Sequence, residues 1–398
     1  MKALSEKVFL KLDMPNSKDR KSDRDRILDK LKIKYKNVDI PYKITKDLYP
    51  KCRESNFEIT VTLVKRTYDW VVTRIEQGDK TDKNYGLCVD LGSTTVIMRL
   101  VDLNTGDIVV EEGCFNKQIS FGEDILNRIF YTRNSKEKLY EIHKATIYTF
   151  SELIYIITEK SKINSEDISV MTVAGNTTMI HFLLNIDPWT IFQMPYTPIF
   201  NHTGFISCDE IGIPIKGYLY CFPSVANYLG GDIVSGVLFT EIYKQKELSA
   251  FIDIGTNGEL VIGNEEFLVA VAGAAGPALE GGISKFGMRA KEGAIDTIKI
   301  VDNNIKYTTI ENKKPLGICG SGIVDLLSEM FLNGWIDFSG ELRENTSKNI
   351  IKVNSQLAVE YATKEESENH ESLIFTQSDI NQFLKTKSAA HTMVAFLL

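Results

Sequence analysis

The sequence predicts an α/β protein with two similar halves, each a mixed sheet flanked by helices. Two short glycine loops are the main observation, Asp90-Leu91-Gly92-Ser93-Thr94-Thr95 and Asp253-Ile254-Gly255-Thr256-Asn257-Gly258-Glu259. Each loop lies between two apolar runs, which is typical of a strand, a tight turn and a second strand. Helical patterns follow both loops, so the chain repeats one structural plan.

The composition of the two loops points to a phosphate-bearing ligand. Glycine lets the backbone approach a ligand closely and direct its N–H groups inward, where consecutive groups form an anion-binding nest. An aspartate beside such a nest can hold Mg²⁺ through water, because Mg²⁺ keeps several of its waters. Two such loops predict a duplicated fold that clamps one nucleotide from both sides.

The elements divide into three predicted domains. Residues 1–84 form a small α/β domain, with strands at 8–12 and 57–68 and a helix that starts after Ser22. Residues 85–246 hold the first glycine loop, helices at 121–131 and 143–158, and strands at 169–173 and 218–222. A further helix opens at residues 229–232 and runs through Tyr243. We expect Ile125, Ile129 and Phe130 on one face of helix 121–131.

Residues 247–398 hold the second loop, the glycine-rich run 272–282 and an amphipathic helix that opens at the run 317–322. A polar segment at 348–371 contains strand-like pieces, and a last helix spans 378–398. Its wholly apolar end predicts that this half is incomplete at its C-terminus.

Composition excludes several classes of protein. In a chain of 398 residues, 43% hydrophobic and 25% charged residues are typical of a soluble globular protein with two or three domains. A net charge of −7 argues against binding to nucleic acid. No apolar stretch has membrane-spanning length, and we see no signal peptide. The six cysteines lack the spacing of zinc or iron–sulfur ligands, so we expect reduced thiols in a cytoplasmic protein.

The order of three motifs resembles the phosphate-1, phosphate-2 and adenosine motifs of the ASKHA superfamily, which includes sugar kinases, Hsp70 and actin. These motifs are the two glycine loops and Gly317-Ile318-Cys319-Gly320-Ser321-Gly322. Within that superfamily, the chain resembles the reductive activators of corrinoid proteins over nearly its whole length. The strings that support this resemblance are residues 118–128, 174–181, 223–232, 275–281 and 287–295.

The resemblance implies a two-lobed ATPase with ATP in its cleft and a small N-terminal α/β domain. It implies ATP-dependent return of an inactive Co(II) corrinoid protein to Co(I), with a corrinoid iron–sulfur protein or the corrinoid subunit of a methyltransferase as partner. A homodimer is also implied by the family. Its members usually carry a ferredoxin domain with a [2Fe–2S] cluster, and this sequence lacks the Cys-x4-Cys-x2-Cys run that would hold one.

The resemblance also implies roles for individual residues. Asp90 and Asp253 are predicted to hold Mg²⁺, with Asp253 also acting in catalysis together with Asp232. The residues predicted to contact the phosphates or the adenosine are Gly92, Ser93, Thr94, Thr95, Gly255, Thr256, Asn257, Gly276, Gly281, Gly320, Ser321 and Gly322.

Several of these positions have a structural alternative. Asp232 either orients the attacking water or binds Mg²⁺, or it is a favourable charge at a helix start. Ser321 can be a helix N-cap as well as an adenosine contact. Asn176 and Thr177 are structural or nucleotide-linked, and Glu259 points into the site or into solvent. His181 is expected to be a core histidine rather than a cobalt ligand, and Cys319 to be a packing residue.

Two other functions remain open. The chain could be a small-molecule kinase of the same superfamily, with Asp232 as the carboxylate base, although no sugar-kinase motif surrounds it. It could also be a nucleotide-regulated binding protein with little turnover. The strings at 275–281 and 287–295 favour the corrinoid activator over both.

Overall fold

The computed structural model describes residues 3–122, 124–254, 258–273, 282–288 and 290–397. The chain divides into two compact units, Met1–Phe239 and Thr240–Leu398. The three predicted domains remain a prediction, although the first unit contains two separate sheets. No helix within the described ranges is both long and apolar enough to span a membrane.

The first unit begins with a four-stranded domain. Its elements are β1 (Ser5–Lys11), α1 (Asp23–Lys32), β2 (Val38–Asp39), α2 (Tyr42–Thr45), α3 (Leu48–Glu54), β3 (Glu58–Lys65) and β4 (Trp70–Gln77). The strands lie in the order β1-β3-β4-β2, and all pairs except β4 with β2 are antiparallel. The predicted helix start is confirmed, because the Ser22 hydroxyl accepts a hydrogen bond from the Asp25 N–H at 3.1 Å.

A six-stranded domain follows in the same unit. Its elements are β5 (Tyr85–Leu91), β6 (Thr95–Asp102), β7 (Ile108–Phe115), α4 (Ile125–Thr132), α5 (Lys136–Ser161), β8 (Ile168–Gly175), α6 (Thr177–Leu183), α7 (Trp189–Phe192), β9 (Phe205–Ser207), β10 (Tyr218–Cys221) and α8 (Gly231–Thr240). The sheet order is β7-β6-β5-β8-β10-β9, with β5, β8 and β10 parallel to one another. The first predicted hairpin is confirmed, since β5 and β6 pair with Asp90 opposite Ile97.

Two helix predictions in this domain need correction. The helix expected from residue 121 begins at Ile125, because Asp124 caps it through the Asn127 N–H at 2.7 Å. Phe130 is 47% exposed and does not share the buried face of Ile125 and Ile129. Helix α8 ends at Thr240 rather than Tyr243, because Glu241 adopts a left-handed φ of 52°.

Buried ions join the two domains of the first unit. Lys7, whose side chain is 1% exposed, lies 2.9 Å from Glu76 and 3.1 Å from Asp167. Arg74 lies 3.1 Å from Glu76 and 3.2 Å from Asp167. Two cations therefore hold two nearly buried carboxylates, and these contacts connect β1 and β4 with the turn that precedes β8.

The described residues of the second unit form three small sheets and two long helices. Its elements are β11 (Ser249–Ile254), β12 (Gly258–Gly263), β13 (Leu268–Gly273), β14 (Ala294–Val301), β15 (Asn304–Thr309), β16 (Gly317–Ile318), α9 (Gly320–Leu332), β17 (Ile350–Val353), β18 (Gln356–Ala362), β19 (Leu373–Thr376) and α10 (Gln377–Leu397). The sheet orders are β11-β12-β13, β15-β14-β16 and β17-β18-β19. The second hairpin, the strand-like pieces of 348–371 and the last helix are confirmed.

Helix α9 covers the edge of strand β14 with two acids. Strand β16 pairs with β14 only at Ala294 and Ile295. Farther along β14, the Ile298 N–H donates to Asp325 at 3.0 Å and the Ile300 N–H donates to Glu329 at 2.9 Å. These acids protect an otherwise open strand edge.

Candidate functional site

Three loops of the six-stranded domain meet at the carboxyl ends of the parallel strands β5, β8 and β10. They are the first glycine loop after β5, the turn between β8 and α6, and the start of α8. In open α/β sheets, ligands bind at the carboxyl ends of the strands. This edge is therefore the position at which the fold can present Asp90 and Asp232 to a ligand.

The first glycine loop is held by a buried asparagine. A Cβ atom on Gly92 would lie 2.5 Å from the Thr95 carbonyl oxygen, so only glycine fits this turn. The Asn116 side chain donates to the Gly92 carbonyl at 2.8 Å, and its backbone N–H donates to Thr94 at 2.9 Å. We did not predict a role for Asn116; its only sequence signal is a turn-favouring residue directly after a strand.

Glycine contacts bring the other two loops against the first. A Cβ atom on Gly175 would lie 2.8 Å from the Leu91 carbonyl oxygen, so the turn after β8 packs on the end of β5. A Cβ atom on Gly230 would come within 3.0 Å of the Gly175 carbonyl oxygen. The helix start that carries Asp232 is therefore seated on the turn beside the first loop.

Asn176 and Thr177 have structural partners in this arrangement. Asn176 caps α6 by accepting from the Thr178 N–H at 2.9 Å, and its amide donates to the Tyr228 carbonyl at 3.3 Å. The Thr177 hydroxyl donates to the Ala226 carbonyl at 2.8 Å. These bonds fix the segment that leads into α8, which supports the structural alternative for both residues.

Asp232 lies in the first turn of α8 and is half-buried. Its carboxylate accepts a hydrogen bond from the Ile233 N–H at 2.8 Å. This position is favourable for a negative charge, because the N-terminus of a helix carries partial positive charge. A role in orienting water or Mg²⁺ stays a prediction.

The second glycine loop belongs to the β11–β12 hairpin, where Asp253 lies directly opposite Glu259. Opposite side chains share one face of a sheet, so both acids lie on the face away from Leu260 and Ile262, which pack on α10. Glu259 is 7% exposed, so it does not point into solvent. Gly255, Thr256 and Asn257 lie outside the described residues.

Desolvation raises the pKa of the Asp253 carboxyl group above its ordinary value. The Asp253 residue is nevertheless exposed, so a ligand can reach it from solvent. Burial disfavours the charged form of an acid unless a cation lies nearby. A bound cation would therefore be favoured at this carboxylate.

The predicted adenosine loop runs from β16 into α9. Cys319 is the N-cap residue, so the alternative in which Ser321 caps the helix is wrong. Ser321 is exposed at the second helical position, and its Oγ lies 3.3 Å from the Cys319 sulfur. A Cβ atom on Gly322 would come within 3.0 Å of the Ile295 carbonyl oxygen, so close helix–strand packing by itself requires this glycine.

Cys319 is 2% exposed and is a packing residue, as expected. Gly276 and Gly281 lie outside the described part of the chain.

His181 is confirmed as a core histidine. Its Nδ1 bonds to the Thr177 carbonyl at 2.8 Å and its Nε2 accepts from the Ile199 N–H at 3.3 Å. The ring stacks on Phe200 at 4.3 Å, and desolvation lowers its pKa. Both ring nitrogens are therefore already used within the protein.

A Mg²⁺ site beside the glycine loops stays a prediction. Within the described ranges, no three or more His, Cys, Asp or Glu side chains are grouped to hold a metal ion. Mg²⁺ in nucleotide sites needs only one or two carboxylates, because phosphates and waters complete its shell. Asp90 and Asp253 are the carboxylates beside the two glycine loops.

Three family models match the chain in sequence order. They are the RACo linker region over residues 1–82, the RACo middle region over 85–245, and the C-terminal domain of RACo, the ASKHA domain, over 247–398. A solved structure of a reductive activator for a corrinoid, iron–sulfur protein matches with a TM-score of 0.91 and 37% identity, over 99% of this chain and 64% of that chain.

Curated relatives agree with these matches. The corrinoid activation enzyme RamQ of Eubacterium limosum is 31% identical over 332 residues, which is 81% of this chain and 56% of RamQ. The reductase of a Co(II) methylated amine-specific corrinoid protein from Methanosarcina barkeri is 24% identical over 236 residues, 54% of this chain and 41% of the relative. The chain spans less than two thirds of the length of these relatives. The chain therefore belongs to the RACo family and carries its linker region, its middle region and its C-terminal ASKHA domain.

Proposed function

We propose that this chain couples the binding and hydrolysis of ATP to the reductive activation of a corrinoid protein, returning Co(II) to Co(I). The observation that carries the proposal is the match to corrinoid activators across all three regions. The glycine-fixed loops at the carboxyl ends of β5 and β8 support it, because they place acids where an α/β fold binds ligands.

The proposed reaction requires ATP because the reduction of Co(II) to Co(I) is energetically uphill. For a one-electron transfer, about 59 mV uphill corresponds to about 1.4 kcal/mol. Co(I) lies below ordinary cellular donors, so the transfer must be driven or gated. ATP binding and hydrolysis can do this by changing the surroundings of the cobalt or by controlling access to it.

Positioning and charge stabilisation are most of what phosphoryl transfer requires. We propose that Asp90 and Asp253 hold Mg²⁺, which would neutralise charge on the phosphates. The backbone N–H groups of the loop at Gly92 would bind phosphate oxygens, and Asp232 would orient the attacking water. The raised pKa of Asp253 agrees with a carboxyl group that gains from a nearby cation.

The electron donor and the partner are also part of the proposal. We propose that an iron–sulfur domain outside this sequence supplies the electron. The partner is a corrinoid protein, either a corrinoid iron–sulfur protein or the corrinoid subunit of a methyltransferase. We further propose that the protein is cytoplasmic and forms a homodimer. Light scattering on the purified chain would test the dimer.

Calorimetric titration tests the nucleotide site first. The chain is titrated with ADP and with a non-hydrolysable ATP analogue in the presence of Mg²⁺, and Asp253→Ala is titrated in parallel. We expect micromolar binding by the native chain and its loss in the variant. Equal binding by a folded variant would refute the role of Asp253.

Titration with a corrinoid protein then separates activation from other functions. We expect the Co(II) form of the partner to bind only when nucleotide is present, and Co(I) to form when a low-potential reductant and ATP are added. Phosphorylation of a sugar or acid panel without any response to the corrinoid protein would favour the kinase. Corrinoid binding without ATP turnover would favour the nucleotide-regulated binding protein.

A further inference from the structure

A network of buried polar side chains supports the first glycine loop. It consists of Asn116, Gln118, Arg128 and Thr146, each of which is 0% exposed. Asn116 donates from Nδ2 to the Gly92 carbonyl at 2.8 Å, and its Oδ1 accepts from the Gln118 backbone N–H at 3.0 Å. Buried hydrogen bonds rigidify the groups that they join. The network can therefore hold the loop in one conformation before a ligand arrives.

The Gln118 side chain is anchored at both ends of its amide. Its Nε2 donates to the Thr146 hydroxyl on α5 at 2.7 Å, and its Oε1 accepts from Arg128 Nη1 at 3.2 Å. These two bonds fix Gln118 and with it the backbone N–H that it donates to Asn116. Because that N–H occupies Asn116 Oδ1, the amide nitrogen of Asn116 has to face Gly92.

Arg128 connects the network with two other segments beside the candidate site. Its Nε donates to the Gly122 carbonyl at 2.9 Å, at the end of the segment that starts at Asn116. Its Nη1 also lies 3.7 Å from the Met179 sulfur on α6. Helix α6 follows the turn after β8, which packs on the end of β5. One guanidinium therefore contacts both the segment that holds the first loop and the helix that follows the neighbouring turn.

Stability alone does not explain a buried arginine at this position. Desolvation lowers the pKa of Arg128 to about 10, so the guanidinium stays charged at neutral pH. Its Nη2 has no hydrogen-bond partner among the residues that the structure describes. A buried charge with an unsatisfied donor is unfavourable for folding. A charged donor forms stronger hydrogen bonds than a neutral one, so Arg128 is suited to hold Gln118 and Gly122 firmly.

The direction of the Gly92 carbonyl decides how the loop can meet an anion. The peptide bond between Gly92 and Ser93 is trans. In a planar trans peptide, the C=O and the N–H point in opposite directions. A Gly92 carbonyl that faces Asn116 therefore turns the Ser93 N–H away from the buried network. Inward-facing N–H groups of this kind form anion-binding nests.

We propose that Gln118 and Arg128 are positioning residues, which act through Asn116 to hold the Ser93 N–H in the direction that binds a nucleotide phosphate. This inference rests on the proposed function and extends it to side chains that are buried away from any ligand. It also gives a role to the string of residues 118–128, which lies outside both glycine loops.

Nuclear magnetic resonance tests the network without nucleotide. Labelling glycine carbonyl carbons and serine nitrogens selects the amides of Ser93 and Ser321, the two serines that directly follow a glycine. The signal lost in Ser321→Ala assigns them. We expect Gln118→Met to shift the Ser93 resonance and to leave that of Ser321 in place. The matched control Thr132→Val should shift neither, because this buried hydroxyl donates to the Ile129 carbonyl and lies outside the network.

Calorimetry then measures the effect on nucleotide binding. We expect Gln118→Met to weaken the binding of ADP at least tenfold, whereas Thr132→Val should bind as the native chain does. Gln118→Glu should lose less affinity than Gln118→Met, because it keeps an oxygen that accepts from Arg128. Arg128→Lys keeps the buried charge but loses the fork of donors, so it gives the same test if Gln118→Met does not fold.

Two results would each overturn the inference. One is an unchanged Ser93 resonance in Gln118→Met, and the other is equal nucleotide affinity in Gln118→Met and Thr132→Val. An absence of nucleotide binding by the native chain would instead refute the proposed function. In that case the Ser93 resonance still decides whether Gln118 positions the loop.

Discussion

Replacing Lys7 by methionine should destabilise the first unit strongly. The Lys7 ammonium lies between Glu76 and Asp167, whose side chains are each 11% exposed. Methionine retains much of the apolar stem but leaves both carboxylates without this cation. The variant therefore tests whether the buried ions fasten the four-stranded domain to the six-stranded domain.

The size of the effect follows from the geometry. Removing one partner of a buried ion pair costs about 3–5 kcal/mol, because the remaining charge loses its compensation. Arg74 stays within 3.1 Å of Glu76 and 3.2 Å of Asp167. This second cation should hold the loss in the free energy of unfolding to the lower end, about 3 kcal/mol.

The control lies on the same strand. Lys11 pairs with Glu58, but their side chains are 71% and 48% exposed. Such surface pairs contribute about 0–1 kcal/mol, so Lys11→Met should be nearly neutral. Urea unfolding followed by tryptophan fluorescence measures both variants. With a slope of about 1–3 kcal/mol per molar urea, Lys7→Met should lower the midpoint by about 1 M or more.

Equal midpoints for Lys7→Met and Lys11→Met would refute this reasoning. They would mean that Arg74 alone compensates both carboxylates, or that water reaches them. A lowered midpoint with an unchanged slope would support it, since the surface exposed on unfolding would be the same.

Three further predictions concern the loops and the thiols. Gly230→Ala should weaken nucleotide binding at least tenfold in calorimetry, because its Cβ atom would collide with the Gly175 carbonyl oxygen. The control Gly113→Ala should bind nucleotide normally, because its Cβ atom would lie 3.4 Å from the Val96 carbonyl oxygen. Asp253→Asn should raise the melting temperature of the nucleotide-free chain at neutral pH while abolishing Mg²⁺-dependent binding. The raised pKa of Asp253 means that its charged form destabilises the fold. The gain in melting temperature should therefore vanish as the pH falls below the ordinary pKa of 3.8, where the native carboxyl group is protonated in both the folded and the unfolded chain. No gain at any pH would contradict this prediction and would mean that the carboxyl group is well solvated. Alkylation followed by mass spectrometry should label Cys88 first and Cys221 only after unfolding. Cys88 is exposed, whereas burial raises the pKa of the Cys221 thiol to about 12. Rapid labelling of Cys221 in the native chain would contradict this prediction.

Local patterns predicted several elements, among them the two hairpins of the candidate site. The hairpin at Asp90, the hairpin at Asp253 and the capped helix after Ser22 all follow from residues within a few positions of one another. Turn residues, caps and alternation act through short-range dihedral preferences and hydrogen bonds, so they can be read without a structure. Where such signals compete, as before Ile125, the predicted boundary was wrong by several residues.

The sequence by itself therefore determined the two hairpins and the family to which the chain belongs. Only the tertiary structure decided which groups meet. Lys7 and Asp167 are 160 positions apart, and no local signal links them. The contact of Gly230 with the turn after β8, and the burial of Glu259 opposite Asp253, depend on how whole elements pack. Such contacts form when the apolar faces of separate helices and sheets are buried against one another. Which faces meet depends on all the elements of a unit and not on any short segment.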